Sequence, residues 1–188
     1  GIHAFSFSPT KVLVAGEGGL VTCHDAEIAS DIRKIVAWAG RMQEYAAACA
    51  IEGIKRLPLI IAQKHDIALR YGEFALAHDL RPQMVEEEND STWKDVALLF
   101  PSQSIRDAVR DHLSADGIQT KIYFQPIHLS DDDWHKKHGC GNLPHTEDVY
   151  RRILCLPSWP GISQDVILQH LRVALDQAKE ACYAGLGI

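Results

Sequence analysis

The stretch Phe5-Ser6-Phe7-Ser8-Pro9-Thr10-Lys11, followed by Gly16-Glu17-Gly18-Gly19, constrains this chain more than any other. Residues 2–7 alternate apolar and small side chains, the period of a β-strand. Gly19-Leu20-Val21-Thr22-Cys23 reads as a second strand. Between the two lie a lysine and a glycine turn, and glycine permits positive φ and close backbone approach. A lysine at the mouth of an apolar strand, with a tight turn behind it, is an amine held in one place. Desolvation disfavours the ammonium form, and a neutral amine attacks carbonyls. Lys11 is therefore a candidate for covalent attachment to a carbonyl compound. Its other reading is a solvated lysine beside a turn.

Downstream, Asp25 is placed to cap a helix over about 26–38, with Ile28, Ile32, Ile35 and Val36 on one face. A second helix is expected from Arg41 to Leu57, with Met42, Tyr45, Ala46 and Cys49 inward. Pro58 suits the first turn of a third, reaching about residue 77. The acidic run Glu86-Glu87-Glu88-Asn89-Asp90 reads as a solvated loop. Val96–Phe100, Ile118–Phe124 and Ile153–Leu156 read as strands. Ser104 with Asp107 looks like a capping box for a helix that carries Ile105, Val109 and Leu113 and stops at Gly117. Ser163 is expected to cap a last helix, with Ile167, Leu168, Leu171 and Leu175 inward. The pattern changes near residue 58, which predicts an α/β chain in two parts, 1–57 and 58–188.

With 188 residues the chain suffices for one good-sized domain or two small ones. A formal net charge of −6 argues against nucleic acid as the main partner. No apolar run is long enough to span a bilayer and no signal peptide is evident, so a cytoplasmic, non-membrane protein is expected. Cys23, Cys49, Cys140, Cys155 and Cys182 show no paired short spacing and read as reduced thiols. His128, His135, His138, Cys140 and His145 lack the tight pairs that zinc favours, so the expected metal content is none.

Four words, in order, carry a resemblance over most of the chain. Ser6-Phe7-x-x-Thr10-Lys11 with Gly16-Glu17-Gly18-Gly19 resembles the lysine motif of the DegT/DnrJ/EryC1/StrS family. Arg41-Met42-x-Glu44 is similar to that family's Arg-Met-x-Glu segment. Gln119–Phe124 with Pro126-Ile127-His128 resembles its strand and Pro-x-His element, although Tyr123 stands where many members have histidine. Leu154-x-Leu156-Pro157-x-x-Pro160-Gly161 resembles its near-terminal element. Two departures stand out. Only Lys34 to Gly40 precede Arg41, where members usually have a longer connection. Ala39 occupies a position where an asparagine often reaches the neighbouring subunit's cofactor phosphate.

The resemblance implies a fold-type-I, aspartate-aminotransferase-like pyridoxal 5'-phosphate (PLP) enzyme. Residues 1–57 would end the large PLP-binding domain, and 58–188 would form the small C-terminal domain. An N-terminal half is expected before the lysine motif, supplying the groups that hold the cofactor ring and its pyridine nitrogen. The implied activity is amino transfer, with glutamate as donor, to a nucleotide-linked keto sugar in a homodimer. Lys11 would form the internal aldimine and shuttle the proton. Ser6 would bond the cofactor phosphate, with Thr10 in a similar role; Ser8 is assigned none. His128 would lie near the sugar. Two alternatives remain open: a non-catalytic fragment that needs a partner chain, or a fold-type-I PLP enzyme acting on amino acids.

Overall fold

The computed structural model describes residues 1–86, 88–130 and 141–185. The chain divides into two compact units, Gly1–Gln63 and Lys64–Ile188.

In the first unit, β1 (Ile2–Ser6) pairs antiparallel with β2 (Gly19–Cys23), with Ile2 opposite Cys23 and Ser6 opposite Gly19. Both strands lie where the alternation of side chains predicts them. Glycine is needed at position 19: a Cβ there would stand 2.5 Å from the carbonyl oxygen of Phe5, which is backbone and cannot yield. Helix α1 (Ala26–Ala39) begins at Asp25, whose carboxylate accepts the N–H groups of Glu27 (2.8 Å) and Ile28 (3.0 Å). Those two bonds satisfy donors that a helix start otherwise leaves unpaired. The expected inward face of α1 is not buried. Ile28, Ile35 and Val36 are all exposed, and Trp38 beside them is 94% exposed.

Helix α2 (Glu44–Ala77) is one continuous helix of 34 residues, not two, and Pro58 lies inside it. An interior proline removes one hydrogen bond and crowds the preceding turn. Ala46, Ala47, Ala48 and Ala50 before it and Leu59, Ala62 and Gln63 after it are good helix formers, and the helix continues through the proline. Tyr45, expected inward, is 78% exposed, whereas Ala46 and Ala50 are buried. The small residues of this segment, not its aromatic one, face the core.

The second unit is built on an antiparallel sheet in the order β3 (Arg81–Pro82), β4 (Val96–Leu99), β5 (Ile153–Leu156). Val96 pairs with Leu156, Leu99 with both Ile153 and Arg81. Helices α3 (Gln103–Ala115) and α5 (Gln164–Gly185) cover the core. There Tyr71, Leu98, Phe100, Val109, Leu113, Leu154, Leu171 and Leu175 are at most 1% exposed. Each buried side chain of this size contributes roughly 1.5–3 kcal/mol, before the entropy of ordering it. Burial of Ile105, Val109 and Leu113 in α3, and of Ile167, Leu171 and Leu175 in α5, follows the expected faces.

Three local expectations are corrected here. The cap of α3 is Ser102, not Ser104: Ser102 Oγ accepts the N–H of Ile105 at 3.2 Å, while Ser104 merely shares a hydroxyl contact with it (2.9 Å). Asp107 takes part in no capping box and receives Arg106 and Arg110 instead, each at 2.9 Å. The segment Ile118–Phe124 is not a strand. Only Lys121 reaches the free edge of β5, exchanging two backbone bonds with Cys155 (3.1 and 2.7 Å). Helix α4 (Pro144–Arg152), preceded by a single 3-10 turn at Ile127–Leu129, was not expected at all. The end of α3 does follow expectation. Gly117 adopts φ +76°, its N–H donates to Ser114 O (3.1 Å), and that of Ile118 donates to Leu113 O (2.8 Å). This pair of bonds is a Schellman closure.

Lys64 is buried, 6% exposed, on the core side of α2. Its amine donates to Ser158 O (2.5 Å), Ser158 Oγ (3.3 Å) and Lys94 O (3.4 Å). It thereby fastens the turn after β5 to the start of β4. Burial pushes its pKa below the ordinary lysine range; Asp95 opposes that shift and Lys94 adds to it. The folded state thus gives up this proton more readily than the unfolded chain, so the residue's contribution to stability rises with pH between the folded value and 10.5. In urea titrations from pH 8 to 10.5, wild type should gain stability relative to Lys64→Met as pH rises. A constant difference would contradict this account of the shift. In the first unit, Gly19→Ala should destabilise by about 1–3 kcal/mol in the same measurement, because the clash is with backbone.

Candidate active site

Between the two strands of the first unit the chain forms a loop that carries Lys11 at its tip. Its base is closed by backbone hydrogen bonds. Phe7 N–H donates to Gly18 O, and Ala15 N–H donates to Phe7 O, both at 2.9 Å. Phe7 and Ala15 are buried, and with Ala50 of α2 they form a small core against which Leu13, Met42 and Cys49 pack. The return to β2 passes through Gly16 (φ +84°) and Gly18 (φ +125°), left-handed conformations that favour glycine. The glycine turn that the sequence analysis singled out is therefore what lets the loop come back to the strand. Behind it lies a cleft of about 640 Å³, lined by Gly16–Gly19 and the Gly40–Gln43 connection.

Within the loop, Lys11 N–H donates to Ser8 O at 3.0 Å, a turn that folds the lysine back over the end of β1. Ser6 Oγ donates to Ser8 Oγ at 3.2 Å and accepts the Ser8 N–H at 3.4 Å. The structure thus brings Ser6, Ser8 and Lys11 to one end of β1. Thr10 is exposed on the same turn. Lys11 is half-buried, and its amine makes no hydrogen bond or ion pair with any described residue. Two hydroxyls and a lysine on one turn, the lysine without a carboxylate partner among the described residues, suit an anionic ligand that also carries a carbonyl. A hydroxyl can donate to a phosphate oxygen, and a charged acceptor strengthens that bond. The donor set therefore fits PLP. Ser8, to which the sequence analysis gave no role, joins Ser6 here through their hydroxyl contact.

His128 lies in the second unit, on the 3-10 turn. Its Nε2 stands 3.3 Å from Glu147 Oε1 of α4, and Glu147 Oε2 accepts Arg151 at 2.8 Å. The histidine side chain is only 6% exposed. Glu147 holds the ring, an arrangement invisible in the sequence because α4 itself was unexpected.

Among the described residues no group of histidines, cysteines and carboxylates could hold a metal ion. His135, His138 and Cys140, and Glu87 of the acidic run, lie outside the described residues. Cys23, Cys49, Cys155 and Cys182 are free thiols. Burial pushes Cys155 up to about 11, with Asp95 adding to the shift, so this thiol is inert. No described helix is long and apolar enough to cross a membrane.

Comparison with known proteins gives the family. The sequence model of the DegT/DnrJ/EryC1/StrS aminotransferase family matches residues 1–171. The chain is 26% identical to the spore coat polysaccharide biosynthesis protein SpsC of Bacillus subtilis (strain 168), over 95% of this chain and 54% of that protein. It is 28% identical to the dTDP-3-amino-3,4,6-trideoxy-alpha-D-glucose transaminase of Micromonospora megalomicea subsp. nigra, over 87% of this chain and 48% of that enzyme. The crystal structure of the aminotransferase TlmJ from Streptoalloteichus hindustanus superposes with a TM-score of 0.84 at 25% identity, covering 95% of this chain and 53% of that one. The chain thus spans about half the length of the relatives it matches. It belongs to the DegT/DnrJ/EryC1/StrS aminotransferase family, and its α/β structure corresponds to about half of a fold-type-I PLP-dependent aminotransferase.

Proposed function

We propose that this chain is the lysine-bearing part of a PLP-dependent aminotransferase. In this reading the enzyme moves an amino group, with glutamate as donor, to a nucleotide-linked keto sugar, and works in the cytoplasm as a homodimer. The observation that carries the reading is the end of β1, where a loop closed at its base brings Lys11, through its backbone bond to Ser8, to the same turn as the Ser6 and Ser8 hydroxyls. The Micromonospora relative, a transaminase of a dTDP-linked sugar, supports the substrate class. The exposed apolar face of α1 supports further protein packing against the first unit. The cofactor reading assigns residues 1–57 to the PLP-binding domain and 58–188 to the small domain; α2 runs through that boundary.

Bound PLP supplies an electron sink for the bonds at the reacting carbon. The chain's own residues have simpler tasks. Lys11 Nζ would hold the cofactor and, when free, would serve as the base and acid that moves a proton between two carbons. Having no carboxylate partner, it is not locked in an ion pair during that transfer. Ser6 Oγ, which here donates to Ser8, would donate to the cofactor phosphate, with Ser8 and Thr10 as further donors. His128, whose Nε2 Glu147 holds, is assigned a role toward the sugar on the strength of the family resemblance.

Borohydride reduction in the presence of PLP, followed by peptide mass mapping, tests the assignment. The pyridoxyl mass should appear on the Lys11 peptide and vanish in Lys11→Ala. Ser6→Ala should weaken apparent PLP affinity by about ten- to a hundredfold, the worth of one hydrogen bond to a charged group. Unselective labelling that persists in Lys11→Ala would overturn the assignment. No labelling in the protein together with its expected N-terminal half would favour a non-catalytic chain.

A further inference from the structure

Backbone hydrogen bonds hold the base of the lysine loop, but they do not hold its tip. Between Ser8 and Val14 the loop has one apolar side chain that packs on the small core of the first unit, Leu13. Its Cδ1 lies where a side chain on Gly53 of α2 would begin, closer than any Cβ could tolerate. The missing side chain of Gly53 is thus a notch in the helix, and Leu13 fills it. Val14 points away and is 46% exposed. Lys11 is two residues from Leu13, and its own N–H is tied back to Ser8. The backbone at Lys11 is therefore held from two sides, by the Ser8 turn and by the seat of Leu13 on α2.

We propose that Leu13, seated against Gly53, is a positioning residue for Lys11: it sets where the amine stands relative to the Ser6 and Ser8 hydroxyls. The inference rests on the reading of Lys11 as the cofactor lysine, yet the packing itself exists without any cofactor. Truncating Leu13 frees the tip of the loop while leaving its base closed. The amine then samples more of the solvent, and the anchored geometry that PLP needs is populated less.

The test measures the amine directly. Competitive acetylation of the cofactor-free protein compares the labelling rate of Lys11 with that of Lys34, whose side chain is 72% exposed on α1. In Leu13→Ala the Lys11 to Lys34 ratio should rise about threefold or more, as expected for easier local opening. Apparent PLP affinity should fall about tenfold, the cost of lost preorganisation. Gly53→Ala, which fills the notch from the helix side, should act in the same direction, and Leu13→Met, which nearly conserves volume, should restore both readouts. Loss of packing elsewhere would lower the melting temperature without changing the labelling ratio. A folded Leu13→Ala with the wild-type ratio and wild-type PLP affinity would overturn the proposal; should that variant fail to fold, Gly53→Ala is judged by the same criterion. If wild type takes no PLP on Lys11 but the ratio still rises in Leu13→Ala, the cofactor reading fails and the positioning contact stands.

Discussion

Everything specific to this chain depends on the pair of backbone hydrogen bonds made by Phe7, one to Gly18 and one from Ala15. They turn a stretch of nine residues into a closed loop and place Lys11 at its far end. Closing a loop costs conformational entropy, and ordering each residue costs about 1–2 kcal/mol more. Burial of Phe7 and Ala15 against Ala50 offsets that cost locally. The glycines serve the same end. Gly16 and Gly18 take backbone conformations that other residues rarely adopt, and Gly19 leaves room for the Phe5 carbonyl. Without this closure, Ser6 and Lys11 would lie five positions apart on an extended chain, with nothing to bring them to one end of β1.

The second unit shows the opposite economy of polar groups. Its core is almost wholly aliphatic and aromatic, and the polar groups it does bury are bonded. Tyr71 donates to Pro157 O at 2.9 Å, Gln164 to Ile67 O at 2.7 Å, and Lys64 to the Ser158 turn. Arg106 is buried as well, and its guanidinium reaches Asp107 and the Ile153 carbonyl at 3.1 Å. These bonds attach loops to the sheet, which the apolar contacts alone would leave free. In the first unit the one amine of interest is left without a partner. In the proposed reading, that amine is the one that meets the cofactor.

Much of this was legible in the residues. Period-two alternation marked β1 and β2, Asp25 marked the start of α1, and Gly117 marked the end of α3, because each signal is local. The errors arose where tertiary packing decides. Pro58 reads as a helix start, but its strong helix-forming neighbours keep α2 intact. Ser102 and Ser104 are equally good caps on paper, and the entry of the chain from β4 selects the first. Residues 118–124 have strand character, yet only Lys121 finds an edge to pair with. Helix α4, Pro-His-Thr-Glu-Asp-Val-Tyr-Arg-Arg, has too few apolar residues to show a period. The candidates Lys11 and Ser6 came from a motif, whereas the proposed positioning residue Leu13 was not legible. Its importance lies in a glycine forty residues away, and no local pattern records that contact.

The central claim is that Lys11, and no other lysine, meets the cofactor at the end of β1. A crystal structure of the protein grown with PLP tests it most directly. The account predicts continuous density from Lys11 Nζ to the cofactor, with the phosphate within hydrogen-bonding reach of Ser6 Oγ. Cofactor density joined to a different lysine, or a phosphate held away from Ser6, would contradict it.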